Sequence, residues 1–259
     1  EREDLFAATT SLELLKAQLS RAALKRGRKV LVIDFQKAHL YPRCEAEVFI
    51  ELPSEAGPKP GMCGQLVHWL YGFRPAAQAW ESHYSKNLEI IGFVRGRASP
   101  VAFYIAASDV SCLVHGDDFT FAGEDAALNA VESKMKEWYE LKVKARLGEE
   151  DDDDKETDIL GRMVRCTEAG FEYEAVPRHR EKILEAFGLD GSSKELTVNG
   201  KVEDLEDEPV PLEPSECTQF RALAARMNYL AQDAPELQFA AKEVCRDMAR
   251  PSVNSWKRS

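Results

Sequence analysis

Two apolar runs, each meeting a carboxylate, constrain this chain more than anything else in it. Val30–Phe35 reads V-L-V-I-D-F, a continuous run without alternation, the pattern of a strand buried on both faces. It brings Asp34 to the edge of a core. Some 80 residues later Ser111–Phe121 reads S-C-L-V-H-G-D-D-F-T-F, apolar on both sides of Gly116-Asp117-Asp118. That pattern predicts a β-hairpin with the acids at its tip. An unpaired carboxylate beside a core is costly, so these acids call for a basic partner or a cation. A few carboxylates with substrate phosphates commonly hold Mg²⁺, and two such ions serve in-line phosphoryl transfer. Side chains alternate along a strand but not through a turn, so one acid of the pair is placed to ligate and the other to assist. Taken singly, the signals have plainer meanings. A G-D-D sequence is commonly a surface turn, and a strand-end Asp is commonly a helix cap or half of an ion pair.

The rest of the chain reads as an α+β layout. Leu12, Leu15, Leu19 and Ala22 recur at helical spacing, predicting an amphipathic helix over 5–23. Strands are expected at Glu47–Leu52 and Gln65–Leu70, with a Pro/Gly-rich loop over 53–64 between them. Helices follow at Ala76–Ile91 and Glu124–Tyr139, with a strand at Val101–Ala106. Leu160–Thr167 and Phe171–Ala175 form a hairpin around Glu168-Ala169-Gly170, and Arg178–Phe187 is a helix closed by Gly188. Residues 190–214 read as a linker, and helices near 216–231 and 235–249 finish the chain.

Composition narrows the class. The net charge is −11 over 259 residues. Residues 1–148 carry 19 basic and 19 acidic side chains, so the whole excess lies in 149–259. It is concentrated at 149–158 (EEDDDDKETD) and 203–216, like-charge blocks that are expected to be solvated loops. No apolar run approaches the roughly 18 residues of a membrane span. No secretory leader is visible, so the expected location is intracellular, cytoplasm or nucleus. The missing initiator Met is read as the mark of a fragment. Six cysteines without a C-x-x-C pair are expected to be reduced, buried thiols. No H-E-x-x-H, P-loop or G-x-G-x-x-G pattern is present.

The blocks around the acids carry a resemblance. D-F-Q-K-A-H-L-Y (Asp34–Tyr41), V-F-I-E-L-P (Val48–Pro53), L-Y-G-F-R-P-A-A-Q-A-W (Leu70–Trp80) and V-H-G-D-D-F (Val114–Phe119) follow one another in this order. I-L-G-R-M-V (Ile159–Val164), F-R-A-L-A-A-R-M-N-Y-L-A (Phe220–Ala231) and the segment Pro235–Met248 complete the series. In order and spacing they resemble copia-type reverse transcriptases of LTR retrotransposons, over nearly the whole chain. The resemblance implies a right-hand polymerase: fingers and palm with a ferredoxin-like antiparallel sheet over 1–155, then a primer-grip-like hairpin and helical thumb over 156–259. It implies Asp34, Asp117 and Asp118 as catalytic acids. Two Mg²⁺ ions, replaceable by Mn²⁺, would be held by these acids and the Phe35 carbonyl. It implies an RNA or DNA template with primer, and deoxynucleoside triphosphates, as partners. The integrase and ribonuclease H parts of such a polyprotein are expected outside this chain.

Departures from the family pattern cluster where the nucleotide would sit. His39 stands where the family has an aromatic ring that excludes the ribose 2′-OH, and imidazole is smaller and polar. Pro75 replaces a Gln that touches the incoming nucleotide, and proline has no amide to offer. Gln78 replaces an Arg, removing a charge near the triphosphate. His115 replaces Tyr, and Gly116 replaces Val, which is expected to loosen the hairpin. Two readings follow: a working polymerase with altered nucleotide contacts, or a decayed relic of the fold that at most binds nucleic acid. A nucleotide cyclase and a scaffold protein are rivals that the order of the blocks disfavours.

Overall fold

Strand β1 (Arg28–Phe35) lies inside a six-stranded antiparallel sheet and is buried along nearly its whole length. The computed structural model describes residues 8–57, 61–189 and 210–258. Two compact units emerge: the chain up to Leu160 with Val164–Tyr173, and Gly161–Met163 with the chain from Glu174 onward.

In the first unit, helix α1 (Leu12–Ala23) starts where the Ser11 hydroxyl accepts a hydrogen bond from Leu14 N. After β1 come two short paired strands, β2 (Phe49–Glu51) and β3 (Cys63–Gln65), and then helix α2 (Ala76–Ile90). Strands β4 (Val94–Arg95), β5 (Ala102–Ile105), β6 (Val110–His115) and β7 (Asp118–Glu124) follow. Helix α3 (Asp125–Trp138) and strand β8 (Leu141–Leu147) complete the main sheet, whose order is β4-β5-β6-β7-β1-β8. Its centre, β1-α2-β6-β7-α3-β8, is the split β-α-β ferredoxin-like arrangement that was expected. Strands β9 (Glu156–Ile159), β10 (Arg162–Thr167) and β11 (Gly170–Ala175) make a separate three-stranded sheet.

Period-2 alternation divides the main sheet into two faces. Leu31, Ile33 and Phe35 of β1 join Phe119 and Phe121 of β7 in a core covered by α2 and α3, with Trp80, Tyr84, Leu88, Leu128 and Met135. Val30 and Val32 face the other way, into a second core with Leu15 and Leu19 of α1 and with Ile159 and Val164. Gln18 fixes α1 to that face: its buried amide donates to Thr120 O at 3.0 Å and to Ser111 Oγ at 3.1 Å. Burial on both faces is why V-L-V-I-D-F shows no alternation.

The second unit is helical: α4 (Arg178–Phe187), α5 (Pro214–Leu230), α6 (Gln238–Arg246) and α7 (Val253–Arg258). Phe220, Ala224 and Val244 form its core, with Met227 and Trp256 against it. Helix α5 opens with a capping box between Glu213 and Glu216. The fully buried Arg162 lies 3.8 Å from the Tyr229 ring centre and is paired with Asp233.

Several expectations change on contact with the structure. Helix α1 begins at Leu12, and the described residues before Ser11 are not helical. Strand β3 ends at Gln65, so most of the expected strand Gln65–Leu70 is irregular chain touching Arg43 at His68. Strands β8 and β9 were not anticipated. Of the linker expected at 190–214, residues 190–209 lie outside the described residues, as do 203–209 of the second acidic block. Cys112 is the fully buried thiol, whereas Cys63 is exposed.

The first acidic block is also more than a solvated loop. Lys29 of β1, only 6% exposed, reaches Asp153 Oδ1 at 2.7 Å and Glu150 Oε2 at 2.6 Å. Asp154 accepts from Arg146 N at 2.8 Å. A buried lysine therefore gives the acids somewhere to go. Desolvation lowers its pKa, but hydrogen bonds to Asp153 and Glu150 and the charges of Asp153 and Asp125 outweigh it, so the pKa is raised. Lys29→Ala would leave Asp153, 3% exposed, without its partner. The expected cost is about 3–5 kcal/mol, measured by urea unfolding at neutral pH.

Stability should also fall on acidification. Asp125 is desolvated, which raises its pKa, but Arg146 and Lys29 hold it below the usual carboxylate range. Glu132 is held down in the same way by Lys136 and Arg146. Folded pKa values below unfolded ones mean stability that is present above the ordinary carboxylate pKa of about 4 and lost as pH drops through the folded values. Thermal melts at pH 6, 4 and 3 should show Tm dropping mainly over the last step.

Candidate active site

The acids lie where β1, β7 and β8 run side by side. Asp34 and Asp118 are directly opposed in the β1–β7 register, so their side chains share the sheet face that carries Val32 and Thr120. Gly116 and Asp117 form the two-residue turn between β6 and β7, with His115 opposite Asp118. Gly116 has φ +64°, a conformation valine adopts only with strain. The expectation that this glycine loosens the hairpin is thus corrected: it sits in the turn, not within a strand, and permits a tight one. Asp118 is the first residue of β7, so the tip itself holds one acid rather than two.

The hairpin is anchored from beneath. Trp80 Nε1 donates to Gly116 O at 3.0 Å, and Phe35 N donates to Asp117 O at 2.9 Å. The Phe35 ring is buried edge-on against Phe119 and Tyr139, with centroids at 4.4 and 5.0 Å. The Gly116 and Asp117 carbonyls are thereby tied to two residues of an aromatic core.

All three carboxylates have partners. Lys144 Nζ lies 3.2 Å from Asp34 Oδ1 and 2.5 Å from Asp118 Oδ1. Gln36 Nε2 donates to the other oxygen of Asp34. Tyr71 OH donates to Asp117 Oδ2 at 3.0 Å. Burial, with that hydrogen bond and the charge of Asp117, raises the pKa of Tyr71, so its hydroxyl stays a donor at neutral pH. The Tyr71 ring stacks on His39 at 4.3 Å. His39 is carried there by a turn in which Lys37 has φ +57°, leading into a short 3-10 helix at Ala38–Leu40. The Nδ1 atom of His39 is buried without a hydrogen-bond partner among the described residues.

Asp34, Phe35, His39, Asp117 and Asp118 are therefore brought into one connected constellation. Pro75 and Gln78 lie at the start of α2, Pro75 as its N-cap, and that helix reaches the hairpin through Trp80. Two residues of the constellation were not foreseen. Tyr71 lies in the Leu70–Trp80 block, where the sequence assigns it no role. Lys144 belongs to L-K-V-K-A-R-L, whose alternation of apolar and charged residues is itself a strand signal.

The donor set suits a hard divalent cation: carboxylate oxygens, two of them face to face, with Asp34 and Asp118 side chains 26% and 43% exposed. A cleft of about 240 Å³ opens beside them, lined by His115, Asp118, Thr120, Lys144 and Thr157–Leu160. Glu150, Asp152 and Asp153 also bring carboxylates within 4.8 Å of one another, and Lys29 is the counter-ion of Glu150 and Asp153 there.

No protein-family model matches this chain, and no curated protein does. Among solved structures it is similar to a foamy viral protease-reverse transcriptase in complex with an RNA/DNA hybrid, with TM-score 0.45 and 12% identity. That similarity covers 91% of this chain and 26% of the viral one, so the chain spans about a quarter of its length. No helix among the described residues is long and apolar enough to cross a membrane.

Trp80→Phe would remove the donor to the Gly116 carbonyl while keeping most of the ring packing. An unfolding free energy lower by about 1–3 kcal/mol is expected, read by chemical denaturation; an unchanged midpoint would show that the indole does not anchor the turn.

Proposed function

We propose that this chain is the reverse-transcriptase part of a copia-type retrotransposon polyprotein, an RNA-directed DNA polymerase. The observation that carries the reading is the register of Asp34 against Asp118 in a ferredoxin-like sheet, with Asp117 in the adjoining turn. Residues 1–155 are the fingers and palm, and 156–259 the primer-grip-like hairpin and helical thumb. Substrates are a primer on an RNA or DNA template and deoxynucleoside triphosphates.

Asp34, Asp117, Asp118 and the Phe35 carbonyl would hold two Mg²⁺ ions. When bound, these lower the pKa of the primer 3′-hydroxyl and neutralise charge on the departing pyrophosphate. The chain's own contribution is positioning. Trp80 and Phe35 hold the hairpin and β1 in fixed register, so the acids converge without reorganisation. Tyr71 orients Asp117 and backs the His39 ring. His39 presents a flat face where the sugar of the incoming nucleotide would lie. With no side-chain amide at Pro75 and no charge at Gln78, more of the nucleotide binding falls to the ions and base pairing.

A second reading, a relic that grips nucleic acid without synthesis, is favoured by Pro75, which as the N-cap of α2 has no donor of its own.

Primer extension on an RNA template, with Mg²⁺ and separately Mn²⁺, decides between them. Extension that disappears in the Asp117→Asn, Asp118→Asn double variant is expected. Folded protein that binds primer–template in a salt-dependent way but extends nothing would establish the relic. In an active enzyme, His39→Phe should improve the kcat/KM ratio for deoxynucleotides over ribonucleotides by at least about tenfold, the low end of steric discrimination in a pocket. An unchanged ratio would remove His39 from the sugar site.

A further inference from the structure

Among the described residues, Lys144 is the cation that touches both opposed acids, and the sheet is irregular to put it there. In the β1–β8 ladder Val32 pairs with Ala145 and Ile33 with Val143, so Lys144 is an extra residue between consecutive pairs. This is a β-bulge, a device that re-aims a side chain and recurs beside active sites. The bulged residue lies 3.2 Å from Asp34 Oδ1 and 2.5 Å from Asp118 Oδ1 through its Nζ. Without it two carboxylates would face each other across neighbouring strands, a destabilising like-charge pair. Lys142, the residue whose Cα is opposite Asp34, is one alternation away on the same strand.

We propose that Lys144 is the resident counter-cation of the Asp34–Asp118 pair, and that a divalent ion occupies these acids only by displacing its ammonium group. The proposal rests on the reading of the acids as a metal site. The lysine and the ion compete for the same oxygens, so the free protein keeps its acids paired and ready, at the expense of metal affinity. The apparent Kd is the intrinsic one divided by the fraction of protein whose acids are free. Binding releases Lys144 into the cleft that it lines beside Asp118.

The test is Mn²⁺ binding, followed by calorimetry and by Tm with and without the ion, in wild type, Lys144→Gln, Lys142→Gln and Asp34→Asn, Asp118→Asn. Lys144→Gln should bind Mn²⁺ at least about fivefold more tightly, the lower range of coupling between linked sites. It should also melt lower in chelator and gain more Tm from the ion than wild type does. Lys142→Gln, which removes an equal charge without removing the bridge, should change affinity by less. Equal tightening in the two lysine variants would mean general electrostatics and would overturn the proposal. So would a Lys144→Gln affinity equal to that of wild type, provided that wild type binds and the double Asn variant does not; the metal-site reading would then stand. If neither wild type nor Lys144→Gln binds Mn²⁺, or the double Asn variant binds as wild type does, the metal-site reading itself fails. Should Lys144→Gln not fold, wild type still decides: Mn²⁺ should increase labelling of Lys144 by an amine reagent, located by mass spectrometry. Labelling that ignores the ion overturns the displacement.

Discussion

Everything at the candidate site depends on the register of β1 between β7 and β8. A one-residue slip in an antiparallel pair moves every side chain to the opposite face. In β1 that slip would carry Asp34 toward the core of Phe35, Trp80 and Phe119, and expose Ile33. Burial on both faces makes either outcome expensive, since several large side chains would leave their cores together. Thus the hydrophobic effect, which has no direction of its own, fixes the placement of a carboxylate to within a strand position. The same pairing sets Asp118 opposite Asp34.

Around that register the chain balances charge locally. Lys144 serves Asp34 and Asp118, Lys29 serves Asp153 and Glu150, and Arg146 serves Asp125 and Glu132. Two of these three cations come from edge strand β8 and the third from its neighbour β1, so one end of the sheet supplies the positive charge that these acids need. A net charge of −11 is therefore a poor guide to the field near the acids. What matters is which carboxylates have a cation within reach and which are left to solvent.

Much of this was legible in the residues alone. The continuous apolar run marked β1, the helical spacing marked α1, α2 and α3, and Gly-Asp-Asp marked the hairpin, because each has a short-range cause. The pairing of Asp34 with Asp118 was beyond such reasoning, since register belongs to two segments at once. Strand β8 was missed because L-K-V-K-A-R-L is rich in charge, although its alternation is regular; weight given to composition hid a period. The bulge at Lys144 has no local signature, arising only from how β8 is laid against β1. Tyr71 was hidden for the opposite reason: it sits in irregular chain, where no periodicity marks a side chain's direction.

The bulge has one more implication. It owes its existence to the number of residues in β8, not to their chemistry. Loss of the Lys144 codon alone would let the ladder close regularly, and the strand would remain perfectly credible as sequence. Yet the two acids would lose their shared cation. The length of β8 therefore constrains the site alongside the identity of Lys144, because the count of residues aims the ammonium group at the acids.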